Sequence, residues 1–148
     1  MINPHTPQGV GLLIQQDKTD LFYVQCKDQT YPIEAYIGSY AFWGGLVEPS
    51  DETVYQALWR ELTEEFNLDE SIIQSWSVQF WDIIEVRHPS ISYDLHLYYV
   101  SLDESSFAQV SRQKVNEGIG VVRSGTKLAQ SLWIWDTSYV FKAIYEKL

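Results

Sequence analysis

Cysteine occurs once in these 148 residues, as Cys26, and arginine only four times, as Arg60, Arg87, Arg112 and Arg123. A lone cysteine has no partner for an internal disulfide and is expected in a reducing compartment, here the cytoplasm. Basic side chains are scarce overall: ten Lys and Arg face twenty Asp and Glu, a net charge of −10. That balance argues against a nucleic acid gripped by a basic surface and against an anionic membrane. No apolar run approaches the roughly 18 residues of a membrane span. Met1, Ile2, Asn3, Pro4 and His5 lack the charged and apolar parts of a signal peptide. His5, His88 and His96 stand far apart, so no His/Cys cluster offers a zinc site.

What is present is an ordinary apolar fraction of 45% and a large aromatic complement of six Trp, ten Tyr and six Phe. The length suits one domain, residues 1–148, with a proper core. Val10 to Gln16 and Leu21 to Cys26 read as strands joined by a polar turn, and Ser39 to Trp43 as a short strand. Thr30 to Ile37 is ambiguous, since Pro32 weakens a strand there. A helix is expected from Asp51 or Glu52, capped by Ser50 or Asp51, with Val54, Leu58 and Leu62 as its apolar stripe. Trp76 to Val86 and Tyr93 to Leu102 read as strands buried on both faces. Asp103 to Gln113 reads as a polar loop, Glu117 to Arg123 as a strand, and the tail as a helix capped by Asp136. The pattern is that of a single α/β domain.

The densest information lies between Gly44 and Leu68. Glu61, Glu64 and Glu65 stand at i, i+3 and i+4, one face of a helix. Like charges so placed repel, and a divalent cation converts the repulsion into a site. Oxygen ligands suit Mg²⁺, which binds through a few carboxylates plus substrate phosphates. The Gly44–Gly45 pair upstream lets backbone come close to a metal or a phosphate.

This segment resembles the Nudix box, G-x5-E-x7-R-E-U-x-E-E-x-G-U with U an apolar residue. Glu52, Arg60, Glu61, Leu62, Glu64, Glu65 and Leu68 fall in place. Two positions depart from it: Gly45 precedes Glu52 by one residue too many, and Asn67 replaces the last glycine, a residue that tolerates the left-handed conformation at a helix end. The resemblance implies an α/β/α sandwich with a mixed sheet between helices. It also implies Mg²⁺-dependent hydrolysis, with Mn²⁺ as an alternative, of a nucleoside diphosphate linked to some group X. A nucleotide-binding sensor of the same fold is the competing reading; it should have lost carboxylates and should carry an output domain, for which 148 residues leave no room.

Carried onto this chain, the box makes Glu61, Glu64 and Glu65 metal ligands, with the Gly44 or Gly45 carbonyl completing the shell and Glu48 near a second metal or simply exposed. Arg60 and Glu52 become supports that orient a carboxylate. The general base stays open among Glu117 in a late loop, Glu104, Asp103 and Glu64. Arg87, Arg112 and Arg123 can clamp phosphate or can be solvated strand-end and loop charges. His88 and His96 can contact substrate, and Phe22, Tyr23, Tyr31, Phe80, Trp81 and Tyr93 can stack on a base. Asp82 to Glu85, where some Nudix subfamilies carry a marker proline or tyrosine, has neither. Homodimerisation, common among relatives, would suit Trp133 and Trp135 if exposed.

Overall fold

A computed structural model describes residues 6–148; the signal-peptide reading of residues 1–5 lies outside them. Seven strands form one mixed sheet. β1 (Gln8–Gln16) runs through its centre and is buried along most of its length. One edge of β1 pairs in parallel with β6 (Ile91–Leu102), Leu12 opposite Tyr98. β6 pairs in turn with β5 (Gln79–His88), antiparallel. The other edge is shared: Ile14 and Gln15 pair with β2 (Leu21–Cys26), while Gly9 to Leu12 pair with β4 (Trp43–Leu46). β2 also pairs with β3 (Tyr40–Ala41) and with β7 (Ile119–Ser124).

Alternation along the central strands builds two cores. Leu12 and Ile14 of β1, with Tyr98, Val100 and Leu102 of β6, face α1 (Val54–Glu65), α2 (Glu70–Gln74) and α3 (Glu104–Arg112). Leu13 of β1, with Leu95 and Leu97 of β6, faces α4 (Gly125–Ala129) and α5 (Ser138–Tyr145). The result is an α/β/α sandwich with a mixed sheet. Leu58 and Leu62 of α1 are wholly buried, and each such leucine contributes about 1.5–3 kcal/mol. This stripe lays α1 on β1 and β4 and fixes which of its faces carries the glutamates.

Several expectations change. Asp103–Gln113 is no loop: Phe107 and Val110, one turn apart, are buried, and the Asp103 carboxylate accepts from Ser106 N at 2.7 Å to start α3. The strand expected at Ser39–Trp43 divides into β3 and β4. Thr30–Ile37 contains a 3₁₀ turn, Glu34–Tyr36. Thr53, not Ser50 or Asp51, caps α1, accepting from Gln56 N. Asp136 lies in a second 3₁₀ turn, and Thr137 precedes α5 without a side-chain cap. Trp133 is fully buried under α5, so it offers nothing to a partner surface.

Candidate active site

The shared edge of β1 sets Gly44 opposite Gly11 and Gly45 opposite Val10. Gly44 has φ of 151°, and a side chain there would drive its Cβ into the Val10 carbonyl. Gly45 sits against α1: a Cβ would meet Glu61 Oε1 at 2.6 Å. A carboxylate is therefore packed directly on glycine backbone, in a space that any other residue would fill.

Arg60 organises the acids around this point. Its Nε and Nη2 donate to the two oxygens of Asp51, each at 2.9 Å, and Nη2 also reaches the Leu46 carbonyl at 3.2 Å. Its Nη1 lies 3.1 Å from Glu61 Oε1, 3.3 Å from Glu64 Oε1 and 3.5 Å from Glu48 Oε1. Asp51 above all, then Glu64 and Glu61, hold the guanidinium well above its ordinary range against the pull of burial. Hydrogen bonding to Arg60 in turn holds the Asp51 carboxyl below the usual carboxylate range. The supporting role expected of Glu52 thus falls to its neighbour: Glu52 is exposed, and only its backbone N–H is engaged, by Gln56 Oε1 at 2.6 Å. Five residues separate Gly45 from Asp51, the spacing of the box, so the extra residue lies on the helix side.

Glu61 and Glu65 are half-buried. Burial raises both carboxyls above the ordinary glutamate range. For Glu61, Arg60 opposes this and Glu64 adds to it. For Glu65, the bond from Glu117 N and the charge of Lys27 oppose it, while the charges of Glu117 and Glu61 add. Glu61 packs on Gly45 and Glu65 lies one helical turn further along α1; their oxygens are of the type that suits a hard divalent cation. Glu64, the third acid of the expected set, is exposed and lies 3.3 Å from Arg60 Nη1, the same nitrogen that meets Glu61 at 3.1 Å. Among the described residues no three acidic, histidine or cysteine side chains converge into a ready-made cage. Of the expected donors, Glu61 and Glu65 are half-buried, and Glu61 packs on Gly45.

The late loop is tied to the end of α1. Glu117 N donates to Glu65 Oε1 at 3.0 Å, Asn116 Nδ2 to the Glu64 carbonyl at 2.6 Å, and Asn116 N to the Glu65 carbonyl at 3.1 Å. Asn67 donates through its amide side chain to the Lys114 carbonyl and through its backbone to Gln113 Oε1. Its φ is not positive, contrary to the left-handed helix end expected: α1 ends in an extended Phe66 bridged to Val115. Glu117 thereby reaches the box. Asp103 and Glu104 do not share that position, being spent on the start of α3.

None of the arginines offered as phosphate clamps lines the cleft that holds Gly44 and Gly45, described below. Arg87 donates to the Val86 and Tyr93 carbonyls and to Asp94 within the β5–β6 hairpin. Arg112 lines a shallow depression on the outer surface of α3 beside Glu104 and Gln109. Arg123 donates to Tyr40 Oη and the Val122 carbonyl. His88 contacts Tyr36 and Asp136, and His96 contacts Gln8. Of the proposed stacking rings, Phe22 and Tyr23 are core, and Phe80 and Trp81 lie on edge strand β5. Tyr31 and Tyr93 do line a cleft of about 280 Å³ that includes Gly44 and Gly45. Two further liners are Trp135, held at φ 53° and offered by the sequence only to a dimer interface, and Lys27 just past β2, which the sequence did not single out. Neither stands in a motif; only the fold brings them to the glycines.

A sheet sandwiched by helices, with an Arg–carboxylate cluster on a glycine edge, defines a class. The NUDIX domain model matches residues 5–123, and the chain belongs to the Nudix family. No curated protein matches the sequence significantly. Among solved structures, a mutT/nudix family protein from Listeria innocua is similar at 16% identity and TM-score 0.70, over 99% of this chain and 95% of that one. The E. coli dihydroneopterin triphosphate pyrophosphohydrolase is similar at 12% identity and TM-score 0.65, over 95% of each chain. Shewanella oneidensis NrtR is similar at 12% identity and TM-score 0.69, over 95% of this chain and 63% of that one. At these identities the likeness is one of fold.

Proposed function

We propose that the protein is a divalent-metal-dependent pyrophosphohydrolase, using Mg²⁺ or alternatively Mn²⁺. Its substrate would be a nucleoside diphosphate linked to a group X, as in a nucleoside triphosphate or a nucleotide sugar. The observation that carries this reading is the half-buried pair Glu61 and Glu65, one turn apart on α1, with Glu61 packed on Gly45 and Arg60 locking the neighbouring acids. When bound by Glu61, Glu65 and the Gly45 backbone, the cation would neutralise the diphosphate oxygens and the charge growing on the leaving phosphate. Arg60 holds Glu61 in place through Nη1 and is itself anchored by Asp51. Glu117, bonded through its backbone to Glu65, acts as the general base. It takes a proton from the attacking water as the water oxygen bonds to phosphorus. The bridging P–O bond breaks, its electron pair leaves with the departing phosphate, and Glu117 releases its proton to solvent.

The test incubates the protein with Mg²⁺ and nucleoside triphosphates, nucleotide sugars, ADP-ribose and dinucleoside polyphosphates, with products identified by mass. Hydrolysis of one class that needs the metal and is lost in Glu65→Gln and Glu117→Gln supports the assignment. No turnover of any class, with nucleotide still bound, favours the sensor reading. The fold likeness to Shewanella oneidensis NrtR, one structure of which is complexed with a 27mer DNA, keeps that reading in the comparison. The net charge of −10 weighs against DNA as a partner of this chain.

A further inference from the structure

Lys27 is the one cationic side chain, among the described residues, that lines the cleft beside Gly44 and Gly45. Its backbone is pinned on both sides: Lys27 N donates to the Ser39 carbonyl at 2.9 Å, and the Lys27 carbonyl accepts from Gly38 N at 2.7 Å. These bonds fix the base of the side chain. Nζ donates to Gln25 Oε1 at 2.7 Å and lies 4.9 Å from the centre of the Tyr31 ring. The other end of the Gln25 amide donates to the Glu117 carbonyl at 3.0 Å, so the ammonium is one side chain removed from the loop that meets Glu65.

This cation is under-satisfied. Among the described residues Lys27 forms no ion pair, and unlike the other unpaired cations it lines the cleft. A half-buried ammonium has three hydrogens to place. Gln25 takes one and the Tyr31 face attracts the charge, which leaves donor capacity for the cleft. Burial pulls the Lys27 ammonium below its ordinary range, and the charges of Glu117, Glu65 and Asp28 pull it back. Holding a charge there costs desolvation unless an anion answers it.

We propose that Lys27 is the phosphate-binding cation of the cleft, donating to a non-bridging oxygen of the substrate's diphosphate. This rests on the reading of the cleft as a diphosphate site, which Lys27 lines and Arg87, Arg112 and Arg123 do not. A lysine acts as a movable point charge rather than a fork, so the site recognises the diphosphate by charge and leaves the choice of X to the apolar walls.

The test titrates methylenediphosphonate, a diphosphate analogue that resists hydrolysis, calorimetrically in the presence of Mg²⁺. Wild type is compared with Lys27→Met, Lys27→Arg and, as an exposed lysine on α5, Lys142→Met. Melting temperatures check folding, and Lys27→Gln serves if the methionine variant is unstable. A charge-assisted hydrogen bond is worth about tenfold or more in affinity. Lys27→Met should bind the analogue at least about tenfold more weakly, Lys27→Arg should keep most of the affinity, and Lys142→Met should match wild type. A merely structural lysine would lower the melting temperature and leave affinity unchanged; that result overturns the proposal. So does a wild type that fails to bind the analogue. Binding lost with Lys27 in a protein that hydrolyses nothing would retain this assignment while removing the enzymatic one.

Discussion

Arg60 holds Asp51 by a two-pronged bond, both contacts at 2.9 Å, and the Asp51 side chain is only 4% exposed. Adjacent Glu52 stays in solvent. Asp51→Asn should destabilise the protein by about 2–3 kcal/mol, because it breaks a two-pronged, charge-assisted bond made by a buried carboxylate. Glu52→Gln should stay within about 0.5 kcal/mol of wild type. Denaturant melts decide the matter; equal losses in the two variants would return Glu52 to the supporting role.

Gly45→Ala separates site from scaffold. The added methyl meets the far end of Glu61 at 2.6 Å, not backbone, so the carboxylate can swing away while the fold adjusts. The melting point should fall only slightly. Metal-dependent turnover should drop about tenfold or more, since displacing a metal-binding carboxylate by an ångström has costs of that order. At Gly44 the obstacle is the Val10 carbonyl and the φ of 151°. Gly44→Ala should lose the fold of β4 itself, seen as a loss of several kcal/mol or of soluble protein. If the two variants behaved alike, the close approach of Gly45 to Glu61 would not matter.

His96 supplies a pH dependence away from the carboxylates. Its Nε2 lies 2.6 Å from Gln8 Oε1, and burial lowers its pKa below the usual 6.5, with Asp94 acting in the opposite direction. The unfolded chain therefore binds a proton that the folded chain resists. The contribution of His96 is fully present above about pH 6.5 and is lost as pH falls toward the lowered folded value. Melting temperature should decline on acidification below about 6.5, and His96→Gln should remove part of that decline. An identical profile in the variant would exclude His96 as its source.

Much of this site could be read in the sequence because it is local. Val54, Leu58 and Leu62 fix the buried face of α1, and the position of Glu61 and Glu65 beside that stripe follows from helix geometry. What could not be read depends on tertiary choices. Spacing cannot tell which of two neighbouring acids, Asp51 or Glu52, turns in toward Arg60. α3 was hidden because only Phe107 and Val110 bury against the sheet, too few to show a period among polar neighbours. Lys27 and Trp135 are distant in sequence and meet at one cleft only through the order of strands.

Asn67 gives the sharpest difference between this chain and its family's pattern, which has glycine there. A glycine would suit a left-handed helix end, but Phe66 here is extended and bridged to Val115, and the Asn67 side chain donates to the Lys114 carbonyl. Asn67→Gly, though it restores the pattern, should cost about 1 kcal/mol through the lost hydrogen bond and the added freedom of the unfolded chain. Its effect should concentrate in residues 113–117, the loop that carries Glu117 to Glu65. Hydrogen exchange should quicken at Asn116 N and Glu117 N, and metal-dependent turnover should fall with it. If exchange there were unchanged and activity rose, Asn67 would be a tolerated remnant of the glycine rather than the anchor of the loop.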